Sequence, residues 1–336
     1  MAGGPTTPEL VAAVSGAGGL GVFGASGMSA DTLRRDLRRA RALTAAPIGV
    51  NVLLAQPRAP SGDLERLADQ FDRYRRELSL GEPGPTSPPP SALELVQIAL
   101  DEGVNVLSVG LGDPAPVVEL AARTAVPVVA MVATVDDARQ AARSGAGVLV
   151  AQGSEAGGHR SNFALPGDGP APMVGLMALV PQVVGAVDIP VVAAGGIVDG
   201  RGMVAALALG AVGAQLGTRF LVASECGTSA GYRRRVRGAT DDESVITVAL
   251  SGRPARGLPN RILRDLEAAG SPTLGYPRHA AAWADIRQAA LSRDDPDFAS
   301  LWCGQSAGPG LTELPAAQIL QEIEAEALVT IERLAQ

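Results

Sequence analysis

The chain has 336 residues, of which 46% are hydrophobic, with a formal net charge of −7, two histidines, two cysteines and no lysine. The acidic balance argues against a nucleic-acid partner, which needs a concentrated basic surface. The absence of lysine excludes Schiff-base chemistry and a Walker A loop, and the few His and Cys residues argue against a metal centre or a disulfide framework. Since the apolar runs are short for a bilayer span and no signal-peptide pattern opens the sequence, we expect a cytoplasmic protein with no membrane contact.

Short apolar, β-branched runs alternate with helical stretches from about residue 19 onward, which predicts βα units and a parallel sheet. Because the strands are apolar throughout, both faces should be covered, as in a (β/α)8 TIM barrel; a doubly wound open sheet is the alternative. The predicted strands are residues 19–25, 47–54, 105–111, 127–134, 147–153, 190–196 and 211–220. The predicted helices between them begin near residues 29, 91, 115, 136, 174 and 200.

Three parts of the chain are distinguished by this pattern. Residues 1–223 form the predicted barrel, interrupted by an insertion at 57–90 with one amphipathic helix and a Pro-rich connector. Residues 224–311 form a helical, lid-like addition, and residues 312–336 form the closing helix of the barrel.

The first glycine-rich motif, residues 15–21, matches the spacing of a dinucleotide-binding fingerprint. Its context is reversed, because the glycines follow a helical stretch and precede a strand. We therefore interpret it as the end of a helix and the turn into the next strand.

Residues 150–160, VAQGSEAGGHR, lead from an apolar strand into a loop of small residues. Gln152 stands where the strand meets the barrel mouth, and Gly157 belongs to a loop that can pass close to a planar ligand. His159 can exchange protons near neutral pH. We expect this segment to carry the chemistry.

The next two strands end in residues suited to a phosphate group. Gly195 and Gly196 precede a helix whose first amides should be free, and Gln215, Gly217 and Thr218 end the following strand. In (β/α)8 barrels the loops after strands seven and eight commonly bind phosphate. Within another apolar strand, Asn51 needs a polar partner, which could be a barrel network or a ligand.

In order and spacing, the segments MAGGPTTPELVAAVSGAGGLG, GVNV, AQGSEAGGH, AAGGIVDGRG and QLGTRF resemble the nitronate monooxygenase family, formerly 2-nitropropane dioxygenases, over nearly the whole chain. The FMN-dependent enoyl-ACP reductases share the barrel and similar motifs. The resemblance implies FMN as cofactor, and an oxidation of alkyl nitronates such as propionate 3-nitronate by dioxygen to a carbonyl compound and nitrite. It assigns catalysis to His159, and FMN binding to Asn51, Gln152, Gly157, Gly196, Gln215, Leu216, Gly217 and Thr218.

Two departures from the family pattern stand out. The short apolar strand that usually precedes the first segment is not seen, so we expect a barrel lacking most of its first strand. Ser161 replaces a frequent glycine and bears on substrate choice, and Gln305 is expected to close over the flavin.

Two other functions stay open at this point. One is an FMN-dependent NAD(P)H oxidoreductase of the enoyl-ACP reductase or quinone reductase type, and the other is a barrel that binds a phosphorylated metabolite without catalysis. A homo-oligomer is compatible with the sequence.

Overall fold

The computed structural model describes residues 4–55, 57–82, 90–165 and 171–336. Seven parallel strands form one curled sheet whose neighbours follow chain order, apart from a short sixth strand that belongs elsewhere. The strands of this sheet are β1 (Gly21–Gly24), β2 (Ile48–Leu53), β3 (Val106–Gly110), β4 (Val128–Val132), β5 (Val148–Gln152), β7 (Val191–Ala194) and β8 (Gly213–Gln215). All seven predicted strands are confirmed.

Helices cover the outer face of this sheet, and the six predicted ones begin within two residues of their expected positions. Ser29 and Ser91 cap their helices, with a complete capping box between Ser91 and Glu94. The helix predicted from Asp136 is capped by Thr134 instead, because the Thr134 hydroxyl accepts the Asp137 amide at 3.1 Å. The helices of this layer are α1 (Pro8–Gly16), α2 (Ala30–Leu43), α4 (Ala92–Asp101), α5 (Ala115–Ala121), α6 (Val135–Arg143), α7 (Leu176–Val184), α8 (Gly200–Ala208) and α13 (Ala316–Leu334).

The glycine-rich motif at residues 15–21 is the end of α1 and the turn into β1, as predicted. A side chain at Gly21 would lie 2.1 Å from the Val11 carbonyl oxygen, so the motif serves close packing of α1 against β1. The dinucleotide-binding alternative is thereby excluded.

Within the described residues, the two edge strands β1 and β8 are not paired with each other, in agreement with a barrel of seven strands. An apolar cluster covers the carboxyl-end side of this opening: Leu10 of α1, Phe220 and Ala223 after β8, and Ile319 and Ile323 of α13. Nearby, the Gly24 amide donates to the Thr6 hydroxyl at 3.0 Å. Packed helices and residues 5–7 therefore stabilise the edges where an eighth strand would stand.

The C-terminal addition contains helices, as predicted, and also two short strands. Its helices are α9 (Ala230–Arg237), α10 (Arg261–Ala268), α11 (Arg278–Ala282) and α12 (Ala284–Ser292). The strands β9 (Val245–Thr247) and β10 (Ala255–Gly257) pair antiparallel, and β10 also pairs with β6 (Gly158–His159). This three-stranded sheet ties the predicted catalytic loop to the addition.

The predicted insertion packs on the addition. Its helix α3 (Leu64–Glu77) places Leu67, Phe71 and Tyr74 in one apolar cluster with Trp283 and Ile286. Part of the predicted Pro-rich connector, residues 83–89, lies outside the described residues. None of the described helices has the length and apolarity needed to cross a bilayer.

Candidate active site

Gln152 ends β5 and is buried, and its amide fixes the loop that follows. Its Nε2 donates to the carbonyl oxygen of His159 at 2.9 Å, and its Oε1 accepts from Arg160 Nη1 at 3.0 Å and from the Ser161 amide at 2.9 Å. Both ends of this amide thus bind residues 159–161. The sequence placed Gln152 correctly at the strand end, and the structure adds that it holds the backbone of the histidine.

Arg160 is fully buried and has no ion-pair partner among the described residues. Its guanidinium also donates to the Gly153 carbonyl at 2.5 Å and to the Gln152 carbonyl at 3.1 Å. Burial lowers the pKa of Arg160 to about 10, partly offset by Glu155 and Asp137. The group is still charged at neutral pH, so a positive charge lies directly beside the loop.

His159 lies in β6, opposite Ala255 of β10, and its half-buried side chain packs against the addition. Its Nε2 is 3.0 Å from Ser251 Oγ, and its ring centroid lies 5.2 Å from that of Tyr276 and 5.8 Å from that of Trp302. Burial is the main cause that lowers the pKa of His159 from 6.5 to about 4, and the positive charges of Arg253 and Arg287 contribute to the same shift. The imidazole is therefore neutral at physiological pH, the form in which it can accept a proton.

Arg253 is a second buried guanidinium without an ion-pair partner in the described chain. One nitrogen donates to the Asn162 carbonyl, while Nε has no hydrogen-bond partner. Burial lowers the pKa of Arg253 to about 10, so it too remains charged. With Arg287 it creates a positive potential around His159 that favours an anionic reactant.

At the carboxyl end of β7, Gly195 and Gly196 adopt φ angles of +121° and +70°, which glycine takes without strain. The Gly196 carbonyl accepts from Ser306 Oγ at 2.6 Å, but its amide has no partner among the described residues. At the end of β8, the amides of Gly217 and Thr218 are also unpaired there, and a side chain at Gly217 would meet open space. These donors fit a phosphate group.

One expectation about this region is wrong: the first turn of α8 does not offer free amides. The Gly200 amide donates to Glu326 at 2.9 Å and the Gly202 amide donates to Asp199 at 2.8 Å. Because two carboxylates already satisfy this helix terminus, an anion there would meet like charge. The donors suited to phosphate are those of the preceding turn and of the segment after β8.

A loop of the addition, residues 302–306, contacts the ends of three strands. The Gly304 amide donates to Thr218 Oγ1 at 2.8 Å, and the Gln305 amide donates to the Glu155 carbonyl at 2.9 Å. A side chain at Gly157 would lie 2.4 Å from the carbonyl carbon of Cys303. Gly157 therefore allows this loop to approach, and the side chain of Gln305 is exposed.

Asn51 lies on β2, away from His159, and it pairs with Ser108 of β3. Its Nδ2 donates to Ser108 Oγ at 3.0 Å and contacts the Met131 sulfur at 3.9 Å. Asn51 therefore has a polar partner on the neighbouring strand, at the register position opposite it. Gln215 is exposed at the end of β8, and Leu216 packs against the apolar cores.

The structure thus brings Gln152, Gly157, His159, Gly196 and Thr218 together, through direct contacts or through the 302–306 loop. Asn51 and Gln215 share the sheet but form no hydrogen bond with His159 among the described residues. Sequence reasoning missed Ser251, Arg253 and Tyr276, which lie about a hundred positions from His159 in the chain and carry no motif.

Comparisons with known protein sequences point to a single family. The profile of one family, described as nitronate monooxygenase, matches residues 1–326. A probable nitronate monooxygenase of Staphylococcus saprophyticus is 34% identical over 322 residues, covering 95% of this chain and 90% of that protein. A protein of the same description from Staphylococcus aureus is 36% identical over 323 residues, with the same coverage of 95% and 90%.

Two solved structures extend the comparison to the fold. A nitroalkane oxidase from Streptomyces ansochromogenes is 34% identical with a TM-score of 0.91, covering 99% of this chain and 95% of that one. FabK from Thermotoga maritima is 32% identical with a TM-score of 0.78, covering 100% of this chain and 93% of that one. Both comparisons cover nearly the whole chain, including the addition.

Proposed function

The chain belongs to the nitronate monooxygenase family of oxidoreductases, and from this we propose that it oxidises alkyl nitronates, such as propionate 3-nitronate, with dioxygen to a carbonyl compound and nitrite. The observation that carries the proposal is the His159 imidazole, kept neutral by its low pKa, near the buried Arg253 guanidinium, which has no ion-pair partner among the described residues. A neutral base suits proton removal from carbon, and the positive potential suits the anion that results.

FMN is the cofactor that the donor set fits best. The unpaired amides of Gly196, Gly217 and Thr218 would hold its phosphate. We assign the remaining contacts to the residues expected from the family, which are Asn51, Gln152, Gly157, Gln215 and Leu216. When bound, FMN supplies the redox chemistry that the side chains of this site lack.

The side chains then position and deprotonate the reactant. His159 would remove the α-proton of a neutral nitroalkane, or orient the nitro group of a nitronate that has already lost it. Arg253 and Arg160 would stabilise the anion at a distance. Both stay charged at neutral pH, and because they are buried their charges are screened less by water. Tyr276 and Trp302 pack against the imidazole and limit the access of water to it.

The test begins with the visible spectrum of the purified protein, followed by an oxygen-electrode trace with propionate 3-nitronate. We expect a flavin spectrum, after reconstitution with FMN if necessary, and oxygen uptake matched by nitrite release. A protein that binds FMN but consumes no oxygen with nitronates would contradict the proposed reaction. A protein that cannot be reconstituted with FMN would favour the phosphometabolite-binding barrel.

The similarity to FabK supports a second candidate, an FMN-dependent NAD(P)H oxidoreductase. An assay that separates the two functions gives the protein NADH or NADPH together with an enoyl thioester or a quinone, in the absence of a nitronate. Rapid nicotinamide oxidation with reduction of the acceptor would favour this candidate. Our proposal predicts slow nicotinamide oxidation and fast nitronate oxidation by the same preparation.

A further inference from the structure

The ring nitrogen of His159 that faces the addition has a single side-chain partner, Ser251. The Ser251 hydroxyl is buried in the turn between β9 and β10, and its Oγ is 3.0 Å from His159 Nε2. The other ring nitrogen, Nδ1, has no hydrogen-bond partner among the described residues. The imidazole is therefore held from one side only.

The direction of this hydrogen bond follows from counting hydrogens. Ser251 Oγ also lies 2.9 Å from the carbonyl oxygen of Arg253, which can only accept, so the single hydroxyl hydrogen is directed there. The oxygen of Ser251 then accepts, and the hydrogen between the two side chains must be on His159 Nε2. If Ser251 donated to His159 instead, two oxygen atoms would face each other at 2.9 Å without a hydrogen, and a buried carbonyl would lose its donor.

We propose that Ser251 is a positioning residue that holds His159 as the Nε2–H tautomer and so makes Nδ1 the proton-accepting atom. This rests on the proposed function only for the identity of the proton donor. In that reaction the α-carbon–hydrogen bond of a neutral nitroalkane breaks and its electron pair stays on the nitronate anion. The proton forms a bond with Nδ1, giving an imidazolium whose Nε2–H still donates to Ser251.

The groups that surround the His159 ring disfavour the imidazolium form. The tautomer of the neutral imidazole therefore determines which ring nitrogen can accept a proton. Arg253 approaches from the β9–β10 turn and Arg287 from α12, while Tyr276 and Trp302 cover the ring. No described carboxylate forms an ion pair with His159. A neutral imidazole has one basic nitrogen only, and its position depends on the tautomer.

The chain is well suited to a direct measurement, because it contains two histidines. His279 is buried, with Nε2 2.7 Å from the Ala249 carbonyl oxygen and Nδ1 accepting the Leu274 amide at 3.3 Å, so it is an Nε2–H tautomer fixed at both nitrogens. In protein labelled with ¹⁵N at histidine, it serves as the internal reference. Wild-type His159 should show the same pattern near neutral pH, with a protonated Nε2 and an unprotonated Nδ1.

Three variants complete the measurement. Ser251→Ala should shift both His159 nitrogen signals toward a mixture of tautomers and leave His279 unchanged, whereas Ser251→Thr should keep the wild-type pattern. Ser244→Ala removes a hydroxyl that contacts Arg256, also in the addition, and should leave both histidines unchanged. Unaltered His159 signals in Ser251→Ala would overturn the proposal. An Nδ1–H tautomer in the wild type would also overturn it, and that measurement does not depend on the stability of any variant.

Kinetics separate the positioning role from a merely structural one. Ser251→Ala should lower kcat with a neutral nitroalkane by roughly tenfold to a hundredfold, and much less with the corresponding nitronate, which has already lost the proton. Ser251→Thr, which keeps the hydroxyl, should retain the wild-type kcat with both substrates. An equal loss with both substrates would contradict the role. Absence of any nitronate oxidation in the wild type would instead reject the proposed function and leave the tautomer result valid.

Discussion

His159 packs against the rings of Tyr276 and Trp302, lies within the electrostatic influence of Arg253 and Arg287, and has no described carboxylate as an ion-pair partner. Burial and the two positive charges disfavour the protonated imidazole, which would have little water around it and positive charge nearby. The sequence identified this residue from its glycine-rich context. It could not identify Ser251 or Arg253, since the pairing of β6 with β10 that brings them close is a long-range contact without a sequence pattern.

The first prediction concerns the titration of this ring. An NMR titration of the folded protein should give His159 a midpoint near 4, because burial and the two arginines lower its pKa from 6.5. Unfolded chain binds this proton near pH 6.5, so the folded state loses stability as pH falls from about 6.5 toward 4 and regains none below that. A titration midpoint for His159 at or above 6.5 would contradict the lowering of its pKa by burial and by the two arginines.

At the scale of elements, the ends of β7 and β8 and the 302–306 loop form the part of the site that fits phosphate. The sequence predicted both strand ends from their glycines and polar residues. It failed for the first turn of α8, because Glu326, which binds that turn, comes from α13 at the other end of the chain. It also missed β6, β9 and β10, whose two or three residues are too few to show an alternating pattern.

The second prediction uses two glycines of β8 and its following turn. Gly217→Val should fold normally, since its side chain would meet open space, but should weaken FMN binding by roughly tenfold or more by occupying the phosphate position. Gly213→Val is the matched control, because that glycine also faces open space but lies at the start of the strand. Both affinities are measured by fluorescence titration of apoprotein with FMN. Equal affinities in the two variants would place the phosphate elsewhere.

At the scale of the whole molecule, the sheet is a barrel with one opening, covered by apolar side chains. The sequence predicted seven strands and a closing helix from periodicity alone. It did not predict how α1, α13 and the segment after β8 meet in one cluster, because that depends on the curvature of the sheet. Nor did it predict that α3 of the insertion would pack against Trp283 and Ile286 of the addition, which lie two hundred positions later.

The third prediction tests this closure. Ile319→Ala should lower the free energy of unfolding by about 3 kcal/mol, because Ile319 is fully buried in the cluster and its loss leaves a cavity. Leu334→Ala, on the same helix but 69% exposed, should change it by less than about 0.5 kcal/mol. Urea unfolding followed by circular dichroism measures both. Similar values for the two variants would mean that α13 does not close the barrel as described.

The proposed reaction requires the neutral imidazole of His159 to act beside bound FMN on a nitronate or nitroalkane. The most direct measurement compares oxygen uptake and nitrite release by the wild type and by His159→Asn, each shown by its visible spectrum to carry the same amount of FMN. We predict that the wild type turns over propionate 3-nitronate and that His159→Asn loses nearly all turnover, at least about a hundredfold, while keeping its flavin. Unchanged turnover in the flavin-loaded variant would contradict the central claim.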